Sequence, residues 1–263
     1  MRSILSLFKK KKPDTGIRFI YLDETESTNR YCAETLRLPA DDSQTVPRMV
    51  VVSADYQSAG KGQGMNTWES ERGKNLLFSI LSHPTWVPVG MQFVISECVA
   101  VAIRDALSRY SERFTIKWPN DIYWQDQKIC GILIENRLSG GKIAECIIGV
   151  GIDVNQQEFH GDAPNPVSLW QILGREVDRR ELLEEVVRRI DDNLLMILNG
   201  DYATIPTIYA GHLYRNRGFH SYRDVSEEFE AAIVEVEDDG HLVLRDRNGQ
   251  IRSYAFKEIE FII

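Results

Sequence analysis

The chain has 263 residues, 43% of them hydrophobic, enough for one large core or a large core plus a small one. It carries 31 basic against 39 acidic residues, a net charge of −8, which argues against a dedicated nucleic-acid binder unless the basic groups are concentrated. Cys32, Cys98, Cys130 and Cys146 stand singly in apolar segments, and no apolar run approaches the roughly eighteen residues of a membrane span. Buried thiols in a reducing cytosol are the expectation.

Residues 1–16 read as a tail whose only basic run, Lys9 to Lys12, is solvated and follows its apolar patch in the wrong order for a secretory signal. A strand is expected over 17–22. The segment from Asp23 to Asn29 then gathers helix-capping residue types, so a helix should begin near Ser27. Ser27, Thr28 and Asn29 are either plain caps or hydroxyl and amide groups offered to a polar ligand at a helix amino terminus.

The apolar run 49–52 leads into the most distinctive stretch, 53–75, with Gly60, Gly62, Gly64 and Gly73. It is not a Walker loop, because Gly62 follows Gly60-Lys61 where Ser or Thr is needed; Met65 stands where a dinucleotide fingerprint needs glycine. The loop is either a linker or a cover whose main-chain N–H groups turn towards an anion.

Strands are expected over 76–81 and 114–118, with a helix over 91–110 that is apolar almost all round and so buried on a sheet. Pro119-Asn120-Asp121 makes a turn, and Trp118 before the proline is held extended, which keeps Lys117 on its strand. Ser139-Gly140-Gly141 joins runs 128–138 and 142–154 as a hairpin. Strict alternation would put Lys128, Cys130, Ile132 and Ile134 on one face and Ile129, Gly131, Leu133 and Glu135 on the other. Taken singly, Lys117 and Lys128 read as solvated lysines; their combination with the neighbouring polar clusters is harder to dismiss.

An amphipathic helix is expected over 180–198. From residue 218 the chain changes to short strands at 229–236, 242–244 and 251–256, joined by Asp239-Gly240 and Asn248-Gly249 turns. A barrel is expected there, since closure removes exposed edges. The fold class is α+β: a mixed or antiparallel sheet packed with helices over 17–215 and a small all-β unit over 218–263.

The ordered blocks Ser27-Thr28-Asn29, Gln57-Ser58-Ala59-Gly60-Lys61-Gly62-Gln63, Lys117-Trp118-Pro119-Asn120-Asp121, Lys128-Ile129-Cys130-Gly131-Ile132-Leu133-Ile134-Glu135 and Gly149-Val150-Gly151-Ile152-Asp153-Val154-Asn155 resemble bacterial biotin–protein ligases. The resemblance implies a class II synthetase-like catalytic domain, an SH3-like carboxy-terminal barrel and a two-step reaction. Biotin is activated by ATP, with Mg²⁺, to biotinyl-5′-AMP, and is then transferred to a lysine of a biotin carboxyl carrier domain. By position, the resemblance implies that Ser27, Thr28, Asn29, Gln57, Lys61, Gly62, Gln63, Lys128 and Gly131 hold biotin. It implies that Lys61, Gly62, Gln63, Trp68, Lys117, Asn120, Lys128 and Asn155 meet ATP or the adenylate.

Lys128, Lys61 and Asp121 are the implied catalytic set, with Asp121 open between metal or proton handling and closure of its turn. Lys61 and Gln63 stand where arginines are frequent in the family, and Asp153 where asparagine is frequent. The few residues before the first strand are too few for a helix-turn-helix, so the expectation is a cytoplasmic ligase without its own DNA-binding domain. A homodimer is left open. The rivals are a lipoate or octanoate ligase and a non-catalytic biotin-binding regulator.

Overall fold

The computed structural model describes residues 16–36, 47–64, 66–161 and 163–263. Residues 1–15 of the expected tail, and Met65 of the glycine-rich loop, lie outside the described residues.

The elements run β1 (Ile17–Leu22), α1 (Thr28–Thr35), β2 (Met49–Ala54), β3 (Leu76–Ser82), α2 (Phe93–Leu107), β4 (Phe114–Lys117), β5 (Asp121–Trp124), β6 (Gln127–Ser139) and β7 (Lys142–Ile152). After them come α3 (Leu169–Leu173), α4 (Arg179–Leu198) and α5 (Thr204–Gly211). Seven strands form one sheet in the order β1-β2-β3-β7-β6-β5-β4, parallel only between β1 and β2. Strands β2 and β3 are buried along their whole length, which is why their sequences are continuous apolar runs.

The two faces of this sheet differ. Phe78 and Ile80 of β3 and Ile148, Val150 and Ile152 of β7 turn towards α2 and α4 in the main core. On the opposite face α1 covers only one end, where Cys32 packs on Val50, Val52, Leu81 and Ile147. The rest of that face, over β3, β7 and β6, carries Ser79, Gly149, Gly151 and Gly131. A helix could not bury glycines and a serine profitably, so this area is left to loops.

Strand β5 escaped the sequence reading. Asp121 opens β5 instead of closing the turn, and it pairs across with Lys117. The alternation expected for β6 also fails: a bulge at Ile129 sets Cys130 opposite Ile122 but Lys128 opposite Tyr123. The extra residue turns Lys128 onto the face of Gly131.

Strands β8 (His220–Arg223), β9 (Glu228–Val236), β10 (Leu242–Asp246), β11 (Ile251–Tyr254) and β12 (Glu260–Phe261) form a second antiparallel sheet in the order β11-β10-β9-β8-β12. Among the described residues the sheet does not close into the expected barrel. Its last strand has only two residues, paired to β8, and among the described residues neither of them pairs with β11. Instead the segment between those edges turns against the first sheet. The Trp118 ring lies 5.8 Å from Phe256. Its indole Nε1 donates to the Gly240 carbonyl at 2.9 Å. Gly240, with φ +94, presses so closely that an added Cβ would lie 2.6 Å from Phe93. Tyr214 bridges the same junction, 5.5 Å from Tyr123 and 6.4 Å from Phe261.

Glu97 of α2 lies beneath this junction and is almost fully buried. Burial first, then the Asp238 charge on the β9–β10 turn, pushes its carboxyl from 4.5 up to about 7. The folded chain therefore holds this proton to higher pH than the unfolded chain. Its contribution to stability is complete below about pH 4.5 and lost as pH rises through about 7. Glu97→Gln should melt with the wild type at pH 4 and progressively above it towards pH 8, a trend that thermal melts across that range would read; parallel curves would refute it.

Candidate functional site

Helix α1 begins at the open face, and its amino terminus is used for tertiary bonds. Ser27 occupies the cap position, but its side chain makes no capping bond. Thr28 instead donates its amide and its hydroxyl to Gln57 Oε1, at 2.7 and 3.0 Å. Ser79 Oγ lies 2.6 Å from both Thr28 Oγ1 and Asn29 Oδ1, and its single proton serves one of them at a time. Asn29 Nδ2 then donates to Glu135 Oε2 at 2.7 Å. Gln57, Thr28, Ser79, Asn29 and Glu135 thus form one polar string across β3, β7 and β6, buried or half-buried except at its exposed end, Glu135.

Beneath the string and beside it the sheet is bare. Gly149 pairs with Leu133, and Gly151 with Gly131, on adjacent strands. A Cβ on Gly149 would stand 2.2 Å from Asn29 Oδ1; one on Gly151 would stand 2.4 Å from the Trp68 ring, and one on Gly131 2.8 Å from it. Asn29 and Trp68 rest directly on backbone because these positions have no side chains. Trp68 Nε1 is buried yet has no hydrogen-bond partner among the described residues.

Trp68 comes from the glycine-rich loop, which is more ordered than a linker. Its amide bonds Gly60 O at 3.0 Å, and the Gly62 amide bonds Asn66 O at 2.8 Å, folding residues 60–68 back on themselves. The start of the loop is held by the Ser58 and Ala59 amides on Thr25 and Glu26 carbonyls. Its far end is held by Glu69, which accepts from the His160 and Gly161 amides at 2.9 and 2.6 Å. Between these moorings Lys61 and Gln63 are exposed.

The cations gather at the other end of the glycine floor. Lys128 Nζ is 2.6 Å from Asp121 Oδ2 and 5.9 Å from the Trp68 ring centre. Its backbone is pinned by the Asn165 carbonyl and the Val167 amide. Lys117 lies on the same face with its amine over the rings of Tyr123 and Phe261, at 5.3 and 5.0 Å. Burial lowers its pKa; Asp121 opposes this, and Lys128 and Arg215 add to it. Below them Asp153 is buried, and burial raises its carboxyl well above the usual range against the pull of Lys128. Asn75 Nδ2 donates to it at 3.0 Å.

Ser27, Thr28, Asn29, Gln57, Trp68, Asp121, Lys128 and Gly131 are therefore brought together, with Lys117 beside them. Gln63 and Asn120 line a neighbouring cleft of about 240 Å³, along with Phe93, Leu133, Gly240 and Phe256. Asn155 is not brought in: its amide donates to the Val177 carbonyl and accepts from the Val177 amide, each at 2.9 Å. Ser79, Glu135 and Gly149 were missed as site residues. The visible signal was a lone serine inside an apolar strand and a glutamate on the Gly131 side of β6.

A model of the Biotin/lipoate A/B protein ligase family matches residues 21–153, which contain this whole constellation. The chain belongs to that family. It is 26% identical over 254 residues to the bifunctional ligase/repressor BirA of Bacillus subtilis, covering 94% of this chain and 75% of that protein. It is 31% identical over 170 residues to the biotin–[acetyl-CoA-carboxylase] ligase of Paracoccus denitrificans, covering 62% and 67% respectively. Among solved structures, the biotin protein ligase of Aquifex aeolicus in complex with biotin and ATP matches with a TM-score of 0.74 and 25% identity, over 92% of this chain and 97% of that one. This ligase-family chain has no helix among its described residues long and apolar enough to cross a membrane.

The glycine floor makes an ordered prediction. Gly149→Ala displaces a buried side chain and should destabilise by about 1–3 kcal/mol, whereas Gly151→Ala meets the half-exposed loop and should cost less. Denaturant unfolding of both variants checks the order, and the reverse order would contradict the packing described.

Proposed function

We propose that this chain is an ATP-dependent biotin–protein ligase. The observation that carries the reading is a single floor with a polar end and a cationic end. At one end the hydroxyls and amides of Thr28, Ser79, Asn29 and Gln57 supply both donors and acceptors, as a cyclic urea requires. In the middle, bare backbone and the Trp68 ring suit a flat apolar bicycle. At the far end Lys128 faces the place where a carboxylate tail would arrive. A lipoate-type substrate has no urea to use the polar string.

In the first step a carboxylate oxygen of biotin attacks the α-phosphorus of ATP. That P–O bond forms, the bond to the bridging oxygen breaks, and pyrophosphate leaves. Joining two anions requires positive charge and N–H donors already in place. Lys128 supplies the charge by transferring its contact from Asp121 to the new anion, while Asp121 keeps the amine aimed until then. Lys61 and the Gln63 amide, on the loop above, add donors over the same junction, and the Gly62 amide joins them only where the loop gives up its bond to the Asn66 carbonyl. In the second step a carrier-domain lysine amine attacks the acyl carbon. The amide forms, the acyl–phosphate C–O bond breaks, AMP departs and the amine proton is released.

The acyl-adenylate reacts with water, so the loop must cover it and still admit a lysine. The Trp68 indole lies on the floor and lifts to admit the bicycle.

The donors present do not form a protein-held metal site here. Asp121 is paired to Lys128, and the one three-residue cluster of metal-ligand types among the described residues, Glu237, Asp239 and His241, sits on the β9–β10 turn. Mg²⁺ is read as arriving on the phosphates of ATP. The catalytic unit spans 17–215 and the second sheet belongs to a unit over 218–263. The acceptor is a biotin carboxyl carrier domain. Four buried, free cysteines suit a reducing compartment such as the cytoplasm.

Biotin-dependent ATP–pyrophosphate exchange tests the first step; exchange that follows octanoate or lipoate instead would overturn the substrate. Lys128→Ala should slow exchange by roughly 10²-fold or more, the usual cost of removing a donor aimed at developing charge, with a melting temperature close to wild type. Unchanged exchange would remove Lys128 from the mechanism. Biotin should change tryptophan fluorescence in the wild type and much less in Trp68→Phe, as titration would show.

A further inference from the structure

The glycine-rich loop touches the second sheet at one cation. Lys257 follows β11 in a turn closed by the Glu258 amide on Ala255 O at 3.1 Å and by the Ala255 amide on Glu258 Oε2 at 2.8 Å. Its φ is +74, a left-handed conformation uncommon for any residue with a Cβ. The turn aims its side chain at the loop: the amine lies 3.0 Å from where a Cβ on Gly64 would stand.

Three observations separate Lys257 from an ordinary surface lysine. Its amine has no hydrogen bond or ion pair among the described residues, while its neighbour Glu258 is spent on the turn. Its mount is fixed, because the same segment is held by the contact of Phe256 with Trp118 and by the Trp118 bond to Gly240. Ala255 and Phe256, immediately before it, line the 240 Å³ cleft together with Gln63 of the loop and Asn120. This cation beside Gly64, next in the chain to two residues of that cleft, is not among the near neighbours of the glycine floor, which are Asn29, Trp68 and Lys128, so on the ligase reading it stands apart from the place where carboxylate and α-phosphate meet. The chemistry left to serve at that distance is the polyphosphate tail.

We propose that Lys257 is a further substrate-binding residue, delivered from the second sheet across Gly64 to hold the β- and γ-phosphates of ATP and the pyrophosphate they become. The proposal rests on the ligase reading above. Its test is the exchange reaction with Lys257→Met, Lys257→Arg and Lys257→Gly, alongside transfer from supplied biotinyl-5′-AMP to a carrier domain.

Lys257→Met should raise the KM for ATP and for pyrophosphate roughly five- to tenfold, as loss of one exposed charge-assisted contact does. The KM for biotin and the transfer from supplied adenylate should stay within about twofold, and Lys257→Arg should restore the KM for ATP. Lys257→Gly relieves the left-handed backbone, so it should melt at or above wild type while showing the same rise in KM for ATP, which separates substrate binding from folding. An unchanged KM for ATP in the Met variant overturns the proposal. So does an equal rise for ATP, biotin and adenylate transfer, which would make Lys257 a brace for the loop. If the wild type shows no biotin-dependent exchange, the ligase reading falls and this proposal with it; if the wild type exchanges and the variants match it, this proposal alone falls.

Discussion

The absence of side chains at Gly131, Gly149 and Gly151 is the constraint on which the rest of the site depends. Two neighbouring strands expose bare backbone on one face, and everything above them approaches to distances that a single methyl would forbid, between 2.2 and 2.8 Å. That approach lets Asn29 reach Ser79 on one side and Glu135 on the other. It also lets a tryptophan ring from a distant loop lie flat against a sheet. On the opposite face the same strands carry Ile148, Val150 and Ile152 into the main core. The period of two along β7 thus divides one strand between folding and binding.

Charge is organised with equal economy. A desolvated site strengthens each electrostatic contact, and it also makes an unanswered charge costly. Lys128 is answered by Asp121, and Lys117 by two aromatic rings. Asp153 below them is buried with its carboxyl raised, and it accepts from Asn75, which also accepts from the Val154 amide. An asparagine in place of Asp153 could keep an acceptor towards Asn75, whereas a charged carboxylate would be pulled towards Lys128. Burial, which raises the Asp153 carboxyl, and the Asn75 hydrogen bond accommodate the aspartate at this position.

Much of the fold could be read from patterns whose period is enforced by burial: the continuous apolar strands β2 and β3, the apolar helix α2 and the stripe of α4. The polar blocks were legible too, because Thr28, Gln57 and Lys128 are residue types with few reasons to recur together. What the sequence hid were features set by a single extra residue or by a distant partner. The bulge at Ile129 inverts the alternation of β6 and decides which face Lys128 uses, and nothing in Lys128-Ile129-Cys130 announces it. Ser79 looks like an interruption of an apolar strand until Asn29 stands opposite. Asn155, placed by resemblance near the nucleotide, is committed at both ends of its amide to Val177. The barrel was expected because edges are hazards, yet here one edge is blunted by packing the segment after β11 on Trp118.

That last substitution of docking for closure ties the second sheet to the chemistry. Trp118 is flanked by Lys117 and by the turn that leads to Asp121, so the residue that anchors the sheet belongs to the block that positions the Lys128 pair. The open sheet completes the cleft beside the glycine floor and carries a cation to the loop above it. Movement of the second sheet relative to Trp118 would alter the wall of that cleft and the approach to Gly64 together, while leaving the polar string at the other end of the floor untouched. The two ends of the site are therefore held by different parts of the chain: the hydroxyl-and-amide end by the main sheet and α1, the lysine end by the junction between the two sheets.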